Sequence, residues 1–147
     1  MVYRMQEGSL TLNDTWRDQS VNVLVPERVA TQGVNLVVAR DVLPLGMLFA
    51  DYLTQQKITF ERELSEYKLT ADAPGTVDGR PAHFLEFFWN NSGKPLQQMM
   101  VVIQDSQRIL SLTGTIPGSG DDQARSCLLA AMISFKFSPD SGNPAHG

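Results

Sequence analysis

Residues 68–89 read KLTADAPGTVDGRPAHFLEFFW and contain the clearest fold signal in the chain. Asp78-Gly79 separates two strand-like stretches, residues 68–77 and 81–89. An Asp-Gly pair between two strands is typical of a tight β-hairpin, because glycine tolerates the positive φ that the turn requires. This segment therefore predicts two antiparallel strands.

More strands are predicted on both sides of this hairpin. After a polar loop at 90–95, residues 96–104 and 108–116 form a second predicted hairpin around Asp105-Ser106-Gln107. Before it, short strands are predicted at residues 3–6, 10–12, 21–25 and 34–40. The chain is therefore rich in antiparallel strands, with its longest ones in the second half.

Two segments are predicted to be helical. In the first, over residues 47–66, spacings of three and four residues align Phe49, Leu53, Gln56, Phe60, Leu64 and Tyr67. The second begins at Asp121-Asp122, because carboxylates favour a helix N-terminus. Its predicted buried stripe is Ala124, Leu128, Ala131 and Phe135.

These elements predict an α+β fold, in which an antiparallel β-sheet has two helices packed on one face. Residues 1–137 form a single predicted domain, since the length suits one domain and no internal repeat is visible. Residues 138–147 are rich in Pro, Gly, Ser and Asn and are predicted to be a disordered tail.

The predicted strands are apolar on both faces, which such a fold does not require. In the strand from Leu96, one face carries Leu96, Gln98, Met100 and Val102, and the other carries Gln97, Met99, Val101 and Ile103. A subunit, a ligand or an apolar segment of another protein would cover the second face. Alternatively, bent strands enclose one larger core, or the face is only a homodimer interface.

Gln56 and Gln98 interrupt otherwise apolar stripes. One interpretation is that each amide bonds to the protein's own backbone or reaches solvent at an edge. The other is that the amides line an apolar surface and bond to a partner, since an unpaired buried amide costs about 1–3 kcal/mol.

Composition argues against several classes of protein. The formal net charge is −4 and no cluster of Lys or Arg is visible, so nucleic-acid binding is not expected. No secretory signal, lipoprotein cysteine or membrane-spanning apolar run is recognised, and Cys127 has no second cysteine for an internal disulfide. We therefore expect a cytoplasmic protein without stable membrane insertion.

The residue types needed for catalysis do not converge in the sequence. His83 and His146 have no Cys or carboxylate at a metal-ligand spacing, and Cys127 lies on a helix stripe where a core role is expected. Gly118-Ser119-Gly120 lacks the lysine of a phosphate loop. We expect no metal, no cofactor and no enzymatic activity.

Four motifs together resemble the Eag family, the effector-associated chaperones of bacterial type VI secretion. They are Tyr3-Arg4-Met5-Gln6-Glu7, Trp16-Arg17-Asp18-Gln19-Ser20-Val21-Asn22, Arg40-Asp41 and Phe49-Ala50-Asp51-Tyr52 with Gln56. The strand order also resembles the wider Mog1/PsbP-like fold. The resemblance extends from about Tyr3 to Phe137.

The resemblance implies a homodimer whose two sheets form a concave cradle. The cradle would bind and shield the N-terminal transmembrane helices of an Rhs or PAAR effector and help to load that toxin onto the secretion spike. By position, the family's cradle residues are Val21, Val23, Asn35, Val37, Gln56, Leu64, Leu96 and Met100. Asn35 replaces a smaller hydroxyl residue, and Met100 replaces an amide whose role Gln98 is then a candidate to take.

Three alternatives remain at this point. A Mog1-like regulator would bind a folded partner protein through a polar surface. A PsbP- or DcrB-like envelope protein would carry a targeting or lipidation signal. A small module for an apolar ligand, or an enzyme, would need a cluster of functional residues that the sequence does not reveal.

Overall fold

The computed structural model describes residues 2–13, 16, 19–27, 33–118 and 121–139. The predicted tail, apart from Ser138 and Pro139, lies outside these residues. In the described ranges the elements are β1 (Val2–Arg4), β2 (Ser9–Thr11), β3 (Asn22–Leu24), β4 (Asn35–Val42), α1 (Phe49–Glu63), β5 (Lys68–Val77), β6 (Arg80–Asn91), β7 (Lys94–Asp105), β8 (Arg108–Pro117) and α2 (Asp122–Ile133).

A six-stranded sheet with the order β3-β4-β8-β7-β6-β5 forms the centre of the molecule. Each strand is antiparallel to its neighbours. The strands β1 and β2 pair with each other in a separate hairpin. Tyr3 of this hairpin shares a 2.7 Å hydrogen bond with Ser20, whose carbonyl also accepts one from Arg40 of β4. These bonds join the hairpin to the chain that leads into the sheet.

The Asp78-Gly79 hairpin is confirmed. Asp78 and Gly79 have φ of 49° and 77°, positive at both central positions as a type I′ turn requires. The next connection is tighter than the loop predicted at residues 90–95. There β6 continues to Asn91 and β7 starts at Lys94, because Ser92 and Gly93 also adopt positive φ and make a two-residue turn.

The two helices lie on opposite faces of the sheet, so the prediction that both pack on one face is wrong. One core cluster joins α2 to the sheet through Met99, Val101, Ile103, Leu112, Ala124, Leu128 and Met132. A second cluster joins α1 to the other side through Tyr52, Leu53, Leu85, Phe87, Met100, Val102 and Ile109. Hereafter these sides are called the α2 face and the α1 face.

The connections between elements explain this arrangement. Since β4 and β5 are four antiparallel steps apart, they run in the same direction, and α1 is the crossover that joins them across one face. The helix α2 follows β8, in the middle of the sheet, and packs on the face that α1 does not occupy. The spacing of apolar residues identifies a helix's buried stripe, but it does not say which face of a sheet that stripe covers. The two apolar faces of β7 therefore each meet a helix.

Two details of α2 differ from the predicted stripe. Met132 is buried where Ala131 was expected, and Ala131 itself is exposed. Cys127 is also exposed rather than part of the core. Ala124 and Leu128 are buried as predicted, and Phe135 packs against the core beyond the end of the helix. The predicted and observed stripes share Ala124 and Leu128 and differ in which residue of the last turn is buried.

Candidate functional site

A row of register partners crosses four strands on the α1 face. Val23 of β3 pairs with Val37 of β4, Val37 pairs with Thr113 of β8, and Thr113 pairs with Met100 of β7. Because strand side chains alternate between faces, these four project to the same side as α1. Three of the predicted binding residues, Val23, Val37 and Met100, thus belong to one row.

The exposure of the side chains in this row decreases from β3 to β7. Val23 is 61% exposed, and Val21, just before β3, is 56% exposed. Val37 is half-buried, whereas Met100 is only 9% exposed because it packs in the cluster with α1. The helix therefore covers the β6–β7 side of this face, and apolar surface remains open on the β3–β4 side.

A second row lies next to the first and is more polar. Asn35 of β4 pairs with Thr115 of β8, Thr115 pairs with Gln98 of β7, and Gln98 pairs with Phe87 of β6. The part of the α1 face formed by the exposed Val23 and the half-buried Asn35, Val37, Thr113 and Thr115 is called the open floor below.

The helix α1 forms a wall beside the open floor. Gln56 and Leu64 are both half-buried. Leu64 packs against the α1-face core, and Gln56 lies one helical turn from the buried Leu53, on the same side of the helix. The structure thus places both predicted helix residues at the sheet side of α1.

Gln98 and Met100, the two candidates for the family's amide position, have different surroundings in the structure. Both lie on the α1 face, but Met100 is part of the core, and the Gln98 amide already has two partners. Its Oε1 accepts a 2.6 Å hydrogen bond from Trp89 Nε1, and its Nε2 donates a 2.9 Å bond to Thr115 Oγ1. Leu96, the register partner of Trp89, is half-buried beside them. Met100 therefore has no strong polar group to offer a partner, and both amide atoms of Gln98 already take part in a hydrogen bond within the protein.

Sequence reasoning missed Thr115 and Trp89. Their contact with Gln98 could have been found from hairpin register alone. The pairing of Asp105 with Arg108 fixes Thr115 opposite Gln98, and the Ser92-Gly93 turn places Trp89 opposite Leu96, two residues from Gln98 and on the same face of the sheet.

Polar contacts hold α1 against the sheet. Lys57 Nζ lies 2.8 Å from Asp72 of β5, and His83 of β6 bonds to the other oxygen of the same carboxylate. These hydrogen bonds, first from His83 and then from Lys57, lower the pKa of Asp72. Near the start of the helix, the Tyr52 hydroxyl donates a 3.0 Å bond to Asp41. Burial, followed by this bond, raises the pKa of Tyr52.

On the α2 face, polar contacts of Glu86 hold α2 against the sheet. Its carboxylate is buried and accepts two 2.8 Å bonds from Arg125 and one of 2.7 Å from Gln97. The hydrogen bonds from Arg125 are the main cause of the lowered pKa of Glu86. These polar groups bond to one another and to the helix, so their arrangement is structural.

Within the described residues, no group of three or more His, Cys, Asp or Glu side chains could hold a metal ion. In the same ranges, neither helix is long and apolar enough to cross a membrane. The candidate site is the open floor, in which Val23 and Val37 lie in an apolar row and Asn35 and Thr115 lie in a polar one.

The model of the DcrB family matches residues 7–134 of this chain. A protein of Pseudomonas aeruginosa named Effector EagT6 is 30% identical over 115 residues, which are 78% of this chain and 80% of that protein. The chain belongs to the DcrB family and, with EagT6, to the Eag family. This confirms the resemblance recognised in the four motifs.

Solved structures agree with this assignment. A Pseudomonas aeruginosa protein of unknown function, PA94, superimposes on this Eag-family chain with a TM-score of 0.80 and 26% identity, covering 95% of this chain and 97% of that one. The cyanobacterial PsbP of Synechocystis has a TM-score of 0.58 at 12% identity, covering 80% of this chain and 82% of its own. The second similarity shows the fold alone, and it confirms the predicted PsbP-like architecture.

Proposed function

We propose that this protein is an effector-associated chaperone of a type VI secretion system. Its open floor and α1 wall bind the N-terminal transmembrane helices of a PAAR or Rhs effector, shield them from water and help to load the effector onto the secretion spike. The name of its relative EagT6 and the family assignment support the association with an effector. We further propose that it acts in the cytoplasm, as a homodimer, by binding rather than by catalysis.

The observation that carries the proposal is a set of three exposed valines, one in β3 and one directly on each side of it. Val21, Val23 and Val25 are each between 56% and 66% exposed. A transmembrane helix outside the bilayer exposes ~20 apolar residues, and it aggregates unless another apolar surface covers them. The half-buried Val37 extends this surface toward the helix, so the open floor can receive one side of such a segment.

Co-expression with the N-terminal segment of a candidate PAAR or Rhs effector from the same genome tests the proposal. Val23→Asp places a charge on the open floor, and Gln56→Ala removes the side-chain amide of Gln56 from α1. We expect both variants to fold and to reduce the amount of effector segment that is recovered. For Val23→Asp the reduction should be roughly tenfold or more, since burying an unpaired carboxylate is costly.

Leu24→Asp is the matched control. Leu24 is the next residue of the same strand and is 56% exposed, close to the 61% of Val23, but it projects to the α2 face. This control should keep the wild-type amount of effector segment. Equal recovery with Val23→Asp and Leu24→Asp would contradict the assignment of the binding surface.

A further inference from the structure

The four sequence motifs that carry the family resemblance meet near the end of β4. Tyr3 of the first motif and Ser20 of the second share a 2.7 Å hydrogen bond between their hydroxyl oxygens. The carbonyl of Ser20 accepts a 3.2 Å bond from Arg40 Nη1 of the third motif. Asp41, the next residue, accepts a 3.0 Å bond from the hydroxyl of Tyr52 in the fourth motif. These five residues are called the motif network below.

The motif network holds β4 from both faces of the sheet. Arg40 and Asp41 are consecutive residues of this strand, so their side chains project to opposite faces. Asp41 shares the α1 face with Val37 and bonds to α1, whereas Arg40 bonds to the chain that leads into β3. The helix and the start of the edge strand are thus both fastened to β4.

Both ends of the network adjoin proposed binding residues. Ser20 directly precedes the exposed Val21. Tyr52 lies one helical turn before Gln56, so the two side chains are neighbours on the surface of α1. None of the five network residues is among the cradle residues that the resemblance implies. The network therefore reaches from one border of the proposed surface to the other without being part of it.

The bond between Tyr52 and Asp41 is directional. Burial, followed by this bond, raises the pKa of Tyr52, so the hydroxyl keeps its proton and donates it. The other carboxylate oxygen of Asp41 accepts a 2.8 Å bond from the N–H of Val42, which orients the carboxylate. Apolar packing is non-directional, whereas a hydrogen bond requires a defined distance and angle. The bond thus fixes where α1 lies relative to β4.

We propose that the motif network is a positioning device, which holds the α1 wall at a fixed separation from the β3 border of the open floor. Tyr52, Asp41 and Arg40 are its positioning residues, and they act without touching the bound segment. A surface that is already held in its binding geometry loses less conformational freedom when a partner binds, which increases affinity. This inference rests on the proposed function and adds how its binding surface is kept in place.

A distance between two spin labels tests the positioning directly. Nitroxide labels at Leu24→Cys on β3 and Ile58→Cys on α1, positions that are both 56% exposed, report the separation in a Cys127→Ser background. Double electron–electron resonance should give a single narrow distance distribution for this labelled protein. Tyr52→Phe, which removes only the hydroxyl, and Arg40→Met should each broaden that distribution.

Tyr67→Phe is the matched control. Tyr67 packs in the same core cluster as Tyr52, but its hydroxyl has no hydrogen-bond partner among the described residues. This variant should keep the narrow distribution. Because Asp41 is exposed, water can replace the hydroxyl that Tyr52→Phe removes, and we expect this variant to fold. Thermal unfolding of each variant checks this.

Fluorescence anisotropy measures the consequence for binding. The probe is a labelled peptide of Leu and Ala, about 20 residues long to match a membrane span and kept soluble by terminal lysines. Tyr52→Phe should weaken its binding by roughly three- to tenfold, the range that corresponds to one net hydrogen bond. Tyr67→Phe should bind the peptide as the wild-type protein does.

The outcomes separate this inference from the proposed function. If Tyr52→Phe keeps the narrow distribution, if Tyr67→Phe broadens it equally, or if broadening leaves peptide binding unchanged, the inference is overturned and the proposed function survives. If the wild-type protein does not bind the peptide, the proposed function fails and this inference fails with it.

Discussion

The side chains on the two faces of the sheet differ in how completely they are bonded. On the α2 face, the buried Glu86 has bonds to both Arg125 and Gln97. On the α1 face, Val23 is exposed and the Asn35 Oδ1 atom has no partner among the described residues. The polar groups of the α2 face thus bond to one another, whereas the open floor has an exposed apolar side chain and a buried amide oxygen without a donor among the described residues.

Glu86 gives a prediction about acid stability. Its folded-state pKa is lowered from an ordinary value of 4.5, so its ion pair contributes fully above that pH and is lost as the pH falls through the lowered value. Glu86→Gln should therefore cost about 1–3 kcal/mol of unfolding free energy near neutral pH, a range discounted for the partial exposure of Arg125. Urea unfolding at about pH 7 and about pH 3 measures this. A gap between wild type and variant that stays constant with pH would contradict it.

Gly114 gives a prediction about packing. A Cβ added there would meet Leu128 of α2 at 3.0 Å, so Gly114→Ala should destabilise the protein by about 1–3 kcal/mol. Gly75 is the control, because an added Cβ would meet nothing within 4 Å, and Gly75→Ala should change stability by less than about 0.5 kcal/mol. Thermal unfolding compares the two. Equal changes in stability for the two variants would mean that α2 does not pack closely against Gly114.

Much of the candidate site could be predicted one residue at a time. Val23, Val37 and Met100 share a face because strand alternation is regular. The burial of Met100 and the bonding of Gln98 could not be predicted in this way. They depend on where α1 crosses the sheet and on cross-strand neighbours, which are features of tertiary structure.

For the secondary-structure elements, turn residues were more informative than the apolar stripes of the helices. Asp78-Gly79 specified its hairpin through local backbone preference, without help from distant contacts. The placement of both helices on one face was wrong because the stripe of a helix does not identify its partner surface. Because each face of the sheet is packed against a helix, no partner is needed to cover an entire face. The part of the α1 face that needs one is the smaller open floor.

The attachment of α1 to the sheet gives a prediction for this element. Lys57 and Asp72 are each 31% exposed, so their ion pair is worth at most about 1 kcal/mol. Lys57→Met should increase amide hydrogen exchange in α1 while the midpoint of thermal unfolding changes little. Arg62→Gln on the same helix is the control, because its pair with Glu63 is largely exposed. Unchanged exchange in Lys57→Met would show that apolar packing alone holds the helix.

The proposed dimer gives a prediction about the whole molecule. Val23 and Leu24 are exposed on opposite sides of the edge strand β3, so apolar surface lies at this border of the sheet on both faces. We expect sedimentation equilibrium to give twice the 16.3 kDa mass of one chain at micromolar concentration. A mass of 16.3 kDa at concentrations that bind effector would contradict the dimer but not the binding surface.

Site-specific photocrosslinking in the complex with an effector locates the surface to which the effector binds. A photoreactive amino acid replaces Val23 or Val37 on the open floor, or Leu24 on the α2 face, and mass spectrometry identifies the crosslinked effector residues. Positions 23 and 37 should crosslink to the apolar N-terminal segment of the effector, and position 24 should not. Crosslinks from position 24 to that segment, with none from positions 23 and 37, would show that the open floor is not where the effector binds.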